Sequence, residues 1–160
     1  MKETIIRQQQ TRSDDVSRPP LVSAHATRFA LEVRDSAIHR YGVFAAESIP
    51  VAHQVIEYTG ERISYAEASR RSVRPYLYLF WLTPGLLIDG AVGGSGAEYI
   101  NHSCEPNLEA NVAGGHIHFV SLREIAPGEE LSLDYKVRGG APNMRCHCGA
   151  PSCRGFINET

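Results

Sequence analysis

Three cysteines fall close together in Cys146-His147-Cys148-Gly149-Ala150-Pro151-Ser152-Cys153, a C-x-C-x4-C array, and the fourth cysteine of the chain is Cys104. Three thiolates at that spacing can reach one tetrahedral ion, and Cys104 is the remaining cysteine able to complete a four-sulfur structural zinc site. His102 and His147 are reserve nitrogen ligands. A redox pair would favour C-x-x-C spacing, and three clustered thiols without metal would be open to oxidation. The array therefore predicts zinc, in a reducing compartment rather than in a disulfide framework.

Two further polar stretches could do chemistry. The first is Glu98-Tyr99-Ile100-Asn101-His102-Ser103-Cys104-Glu105-Pro106-Asn107. Taken alone it reads as a loop in which Asn101 and Asn107 bond nearby backbone, as asparagine commonly does in turns. The second is Pro127-Gly128-Glu129-Glu130-Leu131-Ser132-Leu133-Asp134-Tyr135, a Pro-Gly turn leading into a short strand that ends on a tyrosine. Taken alone it is a hairpin arm whose tyrosine hydroxyl has found a partner in the core.

Taken in order, the stretches say more. The Asn101-His102-Ser103-Cys104 run, then Glu129-Glu130-Leu131 with Asp134-Tyr135, then the trailing cysteine array resemble the SET-domain protein-lysine methyltransferases that carry a post-SET zinc segment. Tyr41-Gly42-Val43-Phe44 and Tyr58-Thr59-Gly60 resemble that family's two earlier motifs, so the resemblance covers about residues 29–157.

The resemblance implies S-adenosylmethionine as methyl donor and the ε-amine of a lysine in a protein or peptide as acceptor, with a histone or histone-like tail as the expected substrate. It implies cofactor contacts from the backbone of Arg40, Tyr41 and Gly42 and from Tyr58, Asn101, His102, Tyr135 and His147. Tyr135 and Tyr78 match the catalytic tyrosines, and Tyr78, Leu133 and Phe156 match positions lining the lysine channel. Cys104, Cys146, Cys148 and Cys153 match the zinc ligands. Transfer to lysine needs a neutral amine in line with the reacting carbon, so positioning and exclusion of water should dominate. Tyr135 is expected to orient and water to act as base, because a phenol with a reference pKa of about 10 is a poor base at neutral pH.

Four departures from the family pattern carry expectations. Arg40 stands where glycine is usual, and a retained backbone contact would ask for negative φ there. Glu98 stands where arginine is common, which should weaken the hold on cofactor. Ser95-Gly96 replaces a frequent asparagine within a Gly90–Gly96 stretch expected to be flexible. Leu133 replaces a phenylalanine or tyrosine that tunes methyl number, so di- and trimethylation are favoured. Arg40, Glu98 and Leu133 also motivate an alternative, a catalytically silent SET-like zinc-containing domain that binds peptide or protein. The presence of Tyr58, Tyr78, Asn101, His102 and Tyr135 favours the enzyme.

Composition sets the frame for these motifs. A chain of 160 residues that is 42% hydrophobic can bury one modest core. Its formal charge of -2 supplies no overall basic field, so direct nucleic-acid binding is not expected. No stretch approaches the roughly 20 apolar residues of a membrane span, and no secretory signal pattern opens the chain. The expectation is an intracellular protein, cytoplasmic if bacterial and nuclear or chromatin-bound if eukaryotic or acting as an effector. The oligomeric state is left open.

The elements that must position the motifs are short. Phe29, Leu31 and Val33 alternate with polar neighbours, the period of a half-buried strand, and folded structure is expected from about there. Further strand-like runs lie at Val43-Phe44, Gln54 to Tyr58, Tyr76 to Leu82, Leu86 to Ile88 and His116 to Leu122. One helix should start at Ser64, with Ser64 and Glu67 capping each other's backbone donors, and end before Pro75. Helices that do not alternate regularly with strands disfavour a doubly wound sheet, and the fold class expected is mostly β with irregular connections. The resemblance refines this to several small sheets with short helices and a threaded C-terminal segment. The expected organisation is a flexible tail over 1–20, a SET catalytic domain over 21–140 and a post-SET zinc-binding segment over 141–160.

Overall fold

The structure is a computed structural model that describes residues 19–74, 77–137 and 144–158. The tail expected over 1–20 lies, up to residue 18, outside the described residues. Ordered contacts begin earlier than Phe29. Ser23 N donates to the Ser95 carbonyl at 2.8 Å, and Val22 packs on the main core. This docking uses backbone bonds on irregular chain, which leaves no periodic signal in sequence.

Strands β1 (Leu31–Asp35) and β2 (Tyr41–Ala45) form an antiparallel hairpin, with Val33 and Val43 turned into the core. A second sheet has the order β3-β9-β8-β10-β7, from β3 (Gln54–Glu57), β7 (Asn101–His102), β8 (Leu108–Ala113), β9 (His116–Ser121) and β10 (Ser132–Leu133). The third, β4-β6-β5, comprises β4 (Glu61–Ser64), β5 (Leu79–Thr83) and β6 (Leu86–Asp89). One core cluster joins all three sheets through residues such as Val33, Phe119 and Ile88. Phe119 is fully buried, and truncating it to alanine would cost about 3–5 kcal/mol.

Helix α1 (Tyr65–Arg71) starts where the sequence places it, and Ser64 Oγ accepts from Glu67 N at 3.2 Å. The capping is one-sided. Ser64 closes β4 opposite Leu86, and the Glu67 carboxylate turns to Arg70 and Arg71 instead of back to the cap.

β10 lies between β7 and β8, parallel to both, with Leu133 opposite His102 on one side and Leu108 on the other. A late segment is thus threaded into the middle of a sheet, as the resemblance implies. Asn107 holds it there. Its side chain accepts from Ser132 N at 2.8 Å and donates to the Glu130 carbonyl at 2.8 Å. Beyond β10, short pairings of Val137 with Asn158 and Arg145 with Phe156 dock the C-terminal stretch.

Candidate active site and cysteine centre

Asn101 is buried at the start of β7. Its Nδ2 donates to the Tyr41 carbonyl at 2.9 Å and to Glu130 Oε1 at 2.8 Å, with Ser36 Oγ at 3.1 Å. Ser36 Oγ in turn donates to the Glu130 carboxylate at 2.8 and 3.0 Å. One amide and one carboxylate therefore pin the β1–β2 turn against β7. Asn101 and Asn107 both bond chain far away in sequence, so the local-turn reading of that stretch is corrected. A buried amide needs strong partners wherever the fold supplies them.

Gly42 sits inside this knot. A Cβ there would lie 2.2 Å from Glu130 Oε1, so a side chain at this position would have to displace the Glu130 carboxylate from its bonds to Asn101 and Ser36. Arg40, two residues before, has φ 45, in the left-handed region, and its carbonyl accepts from Ser36 N at 2.8 Å to close the turn. This overturns the expectation of negative φ. The turn demands the conformation that glycine adopts freely, and an L-residue pays roughly 1–2 kcal/mol to hold it.

The tyrosines gather next to this knot. Tyr99 lies edge-on to Tyr41 (6.2 Å between ring centroids) and to Tyr78 (5.6 Å). Tyr58 donates its hydroxyl to the Tyr78 carbonyl at 2.6 Å, and Tyr135 donates its hydroxyl to the Ile100 carbonyl at 2.7 Å. Burial pushes the Tyr135 hydroxyl pKa well above the usual phenol value, and Tyr78 and Glu130 push it further. Tyr58 is raised in the same way, by burial and then by Glu98 and Tyr135. These phenols are protonated hydrogen-bond donors at neutral pH. Residue Tyr135 as a whole is 43% exposed, while its hydroxyl is tied to the Ile100 carbonyl.

His102 links the tyrosine strand to the cysteines. Its Nδ1 lies 3.2 Å from the Tyr135 backbone N–H, which assigns the neutral tautomer with hydrogen on Nε2. Nε2 faces Cys104 Sγ at 3.5 Å. Burial holds the His102 pKa down, with Asp134 opposing.

Glu98, expected to loosen cofactor, has a local task. Its carboxylate accepts from Gly96 N at 2.8 Å, and a Cβ on Gly94 would meet it at 2.4 Å. Ser95 Oγ donates to the Glu57 carbonyl at 2.6 Å and Thr59 Oγ1 to the Gly93 carbonyl at 3.0 Å. The Gly90–Gly96 loop, expected to be flexible, is closed over Glu98 by these bonds. Burial raises the Glu98 pKa.

The four cysteines meet. Cys104 Sγ is 3.7 Å from Cys146 Sγ and 3.9 Å from Cys153 Sγ, and with Cys148 all four lie within 4.8 Å of one another. Zinc bound tetrahedrally by thiolates at 2.3 Å needs sulfurs about 3.8 Å apart, so the residues present fit the ion. Neither His102 nor His147 joins the group among the described residues. Arg154 N and Gly155 N donate to Cys104 and Cys153, each at 3.4 Å. Arg154 also clamps Asp134, the residue before Tyr135, at 2.8 and 3.0 Å. His147 is exposed between two of the thiols in sequence, and Phe156 is 38% exposed. The structure thus brings together Arg40, Tyr41, Gly42 and Asn101, and separately Tyr58, Tyr78 and Tyr135. Sequence reasoning missed Ser36, Tyr99, Glu130 and the Asp134–Arg154 clamp. Only the acidic run around Glu130 offered a signal.

The pattern described as SET domain matches residues 40–136. This chain belongs to the SET-domain family. A Saccharomyces cerevisiae protein named "Histone-lysine N-methyltransferase, H3 lysine-4 specific" is 41% identical over 137 residues, covering 77% of this chain and 13% of that protein. Its Schizosaccharomyces pombe counterpart of the same name is 38% identical over 143 residues, covering 83% and 16%. This SET-domain chain therefore spans only about an eighth to a sixth of the length of these curated relatives. Among solved structures, KRYPTONITE in complex with mCHG DNA and SAH aligns with a TM-score of 0.70 at 30% identity, covering 82% of this chain and 29% of that one. An active polycomb repressive complex 2 in the basal state aligns at 0.62 and 38% identity, covering 65% and 15%. No helix among the described residues is long and apolar enough to cross a membrane.

Proposed function

We propose that this chain methylates the ε-amine of lysine in a protein substrate, using S-adenosylmethionine. A histone tail is the first substrate to test, and the names of the relatives put lysine 4 of histone H3 at its head. The observation that carries the reading is the adjacency of Ile100 and Asn101. The Ile100 carbonyl takes the Tyr135 hydroxyl, and the Asn101 amide takes the Tyr41 carbonyl. One dipeptide thus joins a lysine-facing tyrosine to a cofactor-facing turn.

When bound, the cofactor supplies a methyl group made electrophilic by its sulfonium. The backbone of Arg40, which at φ 45 keeps the turn conformation a glycine would adopt, the backbone of Tyr41 and Gly42 and the side chains of Tyr58, Asn101, His102 and Tyr135 are assigned to hold it, with exposed His147 closing over it from the C-terminal stretch. Tyr78, Leu133 and Phe156 are assigned to the lysine channel. Presenting a lysine of pKa near 10.4 as a neutral amine at pH 7 costs about 4.6 kcal/mol. An enclosure of tyrosines beside a positive sulfonium lowers that cost, since burial and like charge both disfavour the ammonium. Tyr135, protonated and anchored, orients and does not accept the proton, which leaves through water.

Cys104, Cys146, Cys148 and Cys153 are assigned to one structural zinc that holds the C-terminal stretch against the tyrosine strand. The organisation proposed is a catalytic SET unit over 21–140 and a zinc segment over 141–160, whose junction falls outside the described residues. Action on a histone tail would place the protein at chromatin. The test is transfer of label from S-adenosylmethionine to histones and to a mixed protein extract, with Tyr135→Phe and a zinc-stripped sample alongside. Label on lysine from the intact protein alone supports the reading. Cofactor that fails to bind in calorimetry, together with absent label, would favour a silent peptide-binding domain.

A further inference from the structure

Strand β9 alternates cleanly. Ile117 and Phe119 point into the core, so His116 and His118 stand on the opposite, solvent-side face of the five-stranded sheet. Their rings stack with centroids 5.9 Å apart and only 7° between planes. The neighbouring edge strand β3 sets Glu57 directly opposite His118, and Glu57 Oε1 reaches His116 Nδ1 at 2.6 Å. One ligand atom from each of the three residues lies within 4.8 Å of the others. Gln54, on the same edge strand, meets His118 Nδ1 at 2.8 Å.

We propose that Glu57, His116 and His118 form a second metal site, for a borderline divalent ion such as Zn2+ or Ni2+. Two imidazoles and one carboxylate suit these ions, whereas calcium and magnesium ask for oxygen alone. In the metal-free chain a proton bridges Glu57 and His116, and an ion takes its place. In the metal-free chain Gln54 Nε2 donates to His118 Nδ1; with the amide turned over, Gln54 Oε1 accepts from Nδ1–H and frees Nε2 for the ion, which makes Gln54 the positioning residue for His118, as hydrogen-bond partners of metal-bound histidines are. Three protein ligands with exposed His116 at the rim leave at least one coordination position to water or an exchangeable ligand. The site is separate from the cysteine centre, because β3 and β9 form one edge of the sheet and β7, which leads to Cys104, forms the other. Its effect on the fold is to staple the edge strand to its neighbour.

The test titrates Ni2+ into the full, zinc-loaded chain while zinc release is monitored, and compares the wild type with the double variant His116→Gln, His118→Gln and with Gln54→Leu. The wild type should take up one equivalent without releasing zinc and unfold at higher temperature. The double variant should lose both effects, and its metal-free unfolding should fall only slightly, since it gives up the exposed His116–Glu57 contact and the half-buried Gln54–His118 hydrogen bond. Gln54→Leu should keep the site but weaken it by about 10- to 100-fold. Equal uptake by the double variant, absence of uptake by the wild type, or uptake matched by zinc release would each overturn the proposal.

Discussion

Asn101 Nδ2 donates to Glu130 Oε1 at 2.8 Å, and that same oxygen occupies the space where any side chain at residue 42 would have to go. The turn, β7 and the approach to β10 are thus one object, and Gly42→Ala should break it. Overpacking of this kind costs about 1–3 kcal/mol. Because the oxygen displaced belongs to the partner of Asn101, cofactor affinity should fall together with stability. Denaturant unfolding and cofactor calorimetry on the same variant check this. Unchanged values in both would show that Glu130 yields without consequence.

Tyr135→Phe removes the donor that sits on the Ile100 carbonyl and leaves the ring. By comparison with the loss of one preorganised donor elsewhere, kcat should fall on the order of 100-fold. Since burial keeps this hydroxyl protonated far beyond neutral pH, the wild type and the variant should share the same ascending pH–rate limb, set by the lysine. A limb that disappears only in the variant would instead make Tyr135 the base.

The cysteine centre holds Arg154 against Asp134, next to Tyr135. Chelation of zinc, or Cys153→Ser, should therefore abolish methyl transfer although the ion touches no reacting atom. The ion pair alone is too weak to replace it, since exposed pairs contribute roughly 0–1 kcal/mol. The readout is label transfer against measured zinc content. Full activity in a zinc-free sample would remove the centre from the active-site wall.

Much of this was legible in sequence because chemistry and punctuation coincide. The cysteine array, the order of the motifs and the Ser64 cap announce themselves through side-chain type and spacing. β8 did not, since Leu108-Glu109-Ala110-Asn111-Val112-Ala113 alternates only through Glu, Ala and Asn, residues that strands use sparingly. It is a strand because β9 returns through Gly114 and Gly115, both at positive φ, and pairs with it along its whole length. Four-residue β4 was hidden by its polar Glu61-Arg62 start. Glu130 and Ser36 were invisible as site residues because their partner lies across the fold, and no local pattern encodes a contact made only by threading β10 between β7 and β8.

Leu133 is buried on β10, opposite His102. Leucine brings no hydroxyl that could pin a water beside the target amine, so the pocket should accept further methyl groups. Leu133→Phe should shift the products toward monomethyl-lysine, and Leu133→Tyr should do so more strongly. Mass spectrometry of a lysine peptide at full conversion reads this directly. A wild type that stops at monomethyl-lysine on every good substrate would sink the assignment.

Arg40 offers a test of the turn that needs no substrate. Its φ of 45 makes the residue type count through the backbone. Glycine would release about 1–2 kcal/mol of left-handed cost but add roughly 0.5–1 kcal/mol of chain entropy on unfolding, so Arg40→Gly should leave stability unchanged or slightly raised. Arg40→Val places a β-branched residue in the region least open to it and should lose about 1–3 kcal/mol. Urea midpoints for the two variants should therefore fall on opposite sides of Arg40→Asn, since asparagine tolerates the left-handed region better than valine and less freely than glycine. Valine ranking level with glycine would mean that the turn is not left-handed at this residue, and the reason for the family's glycine would have to be sought in contact with the cofactor instead.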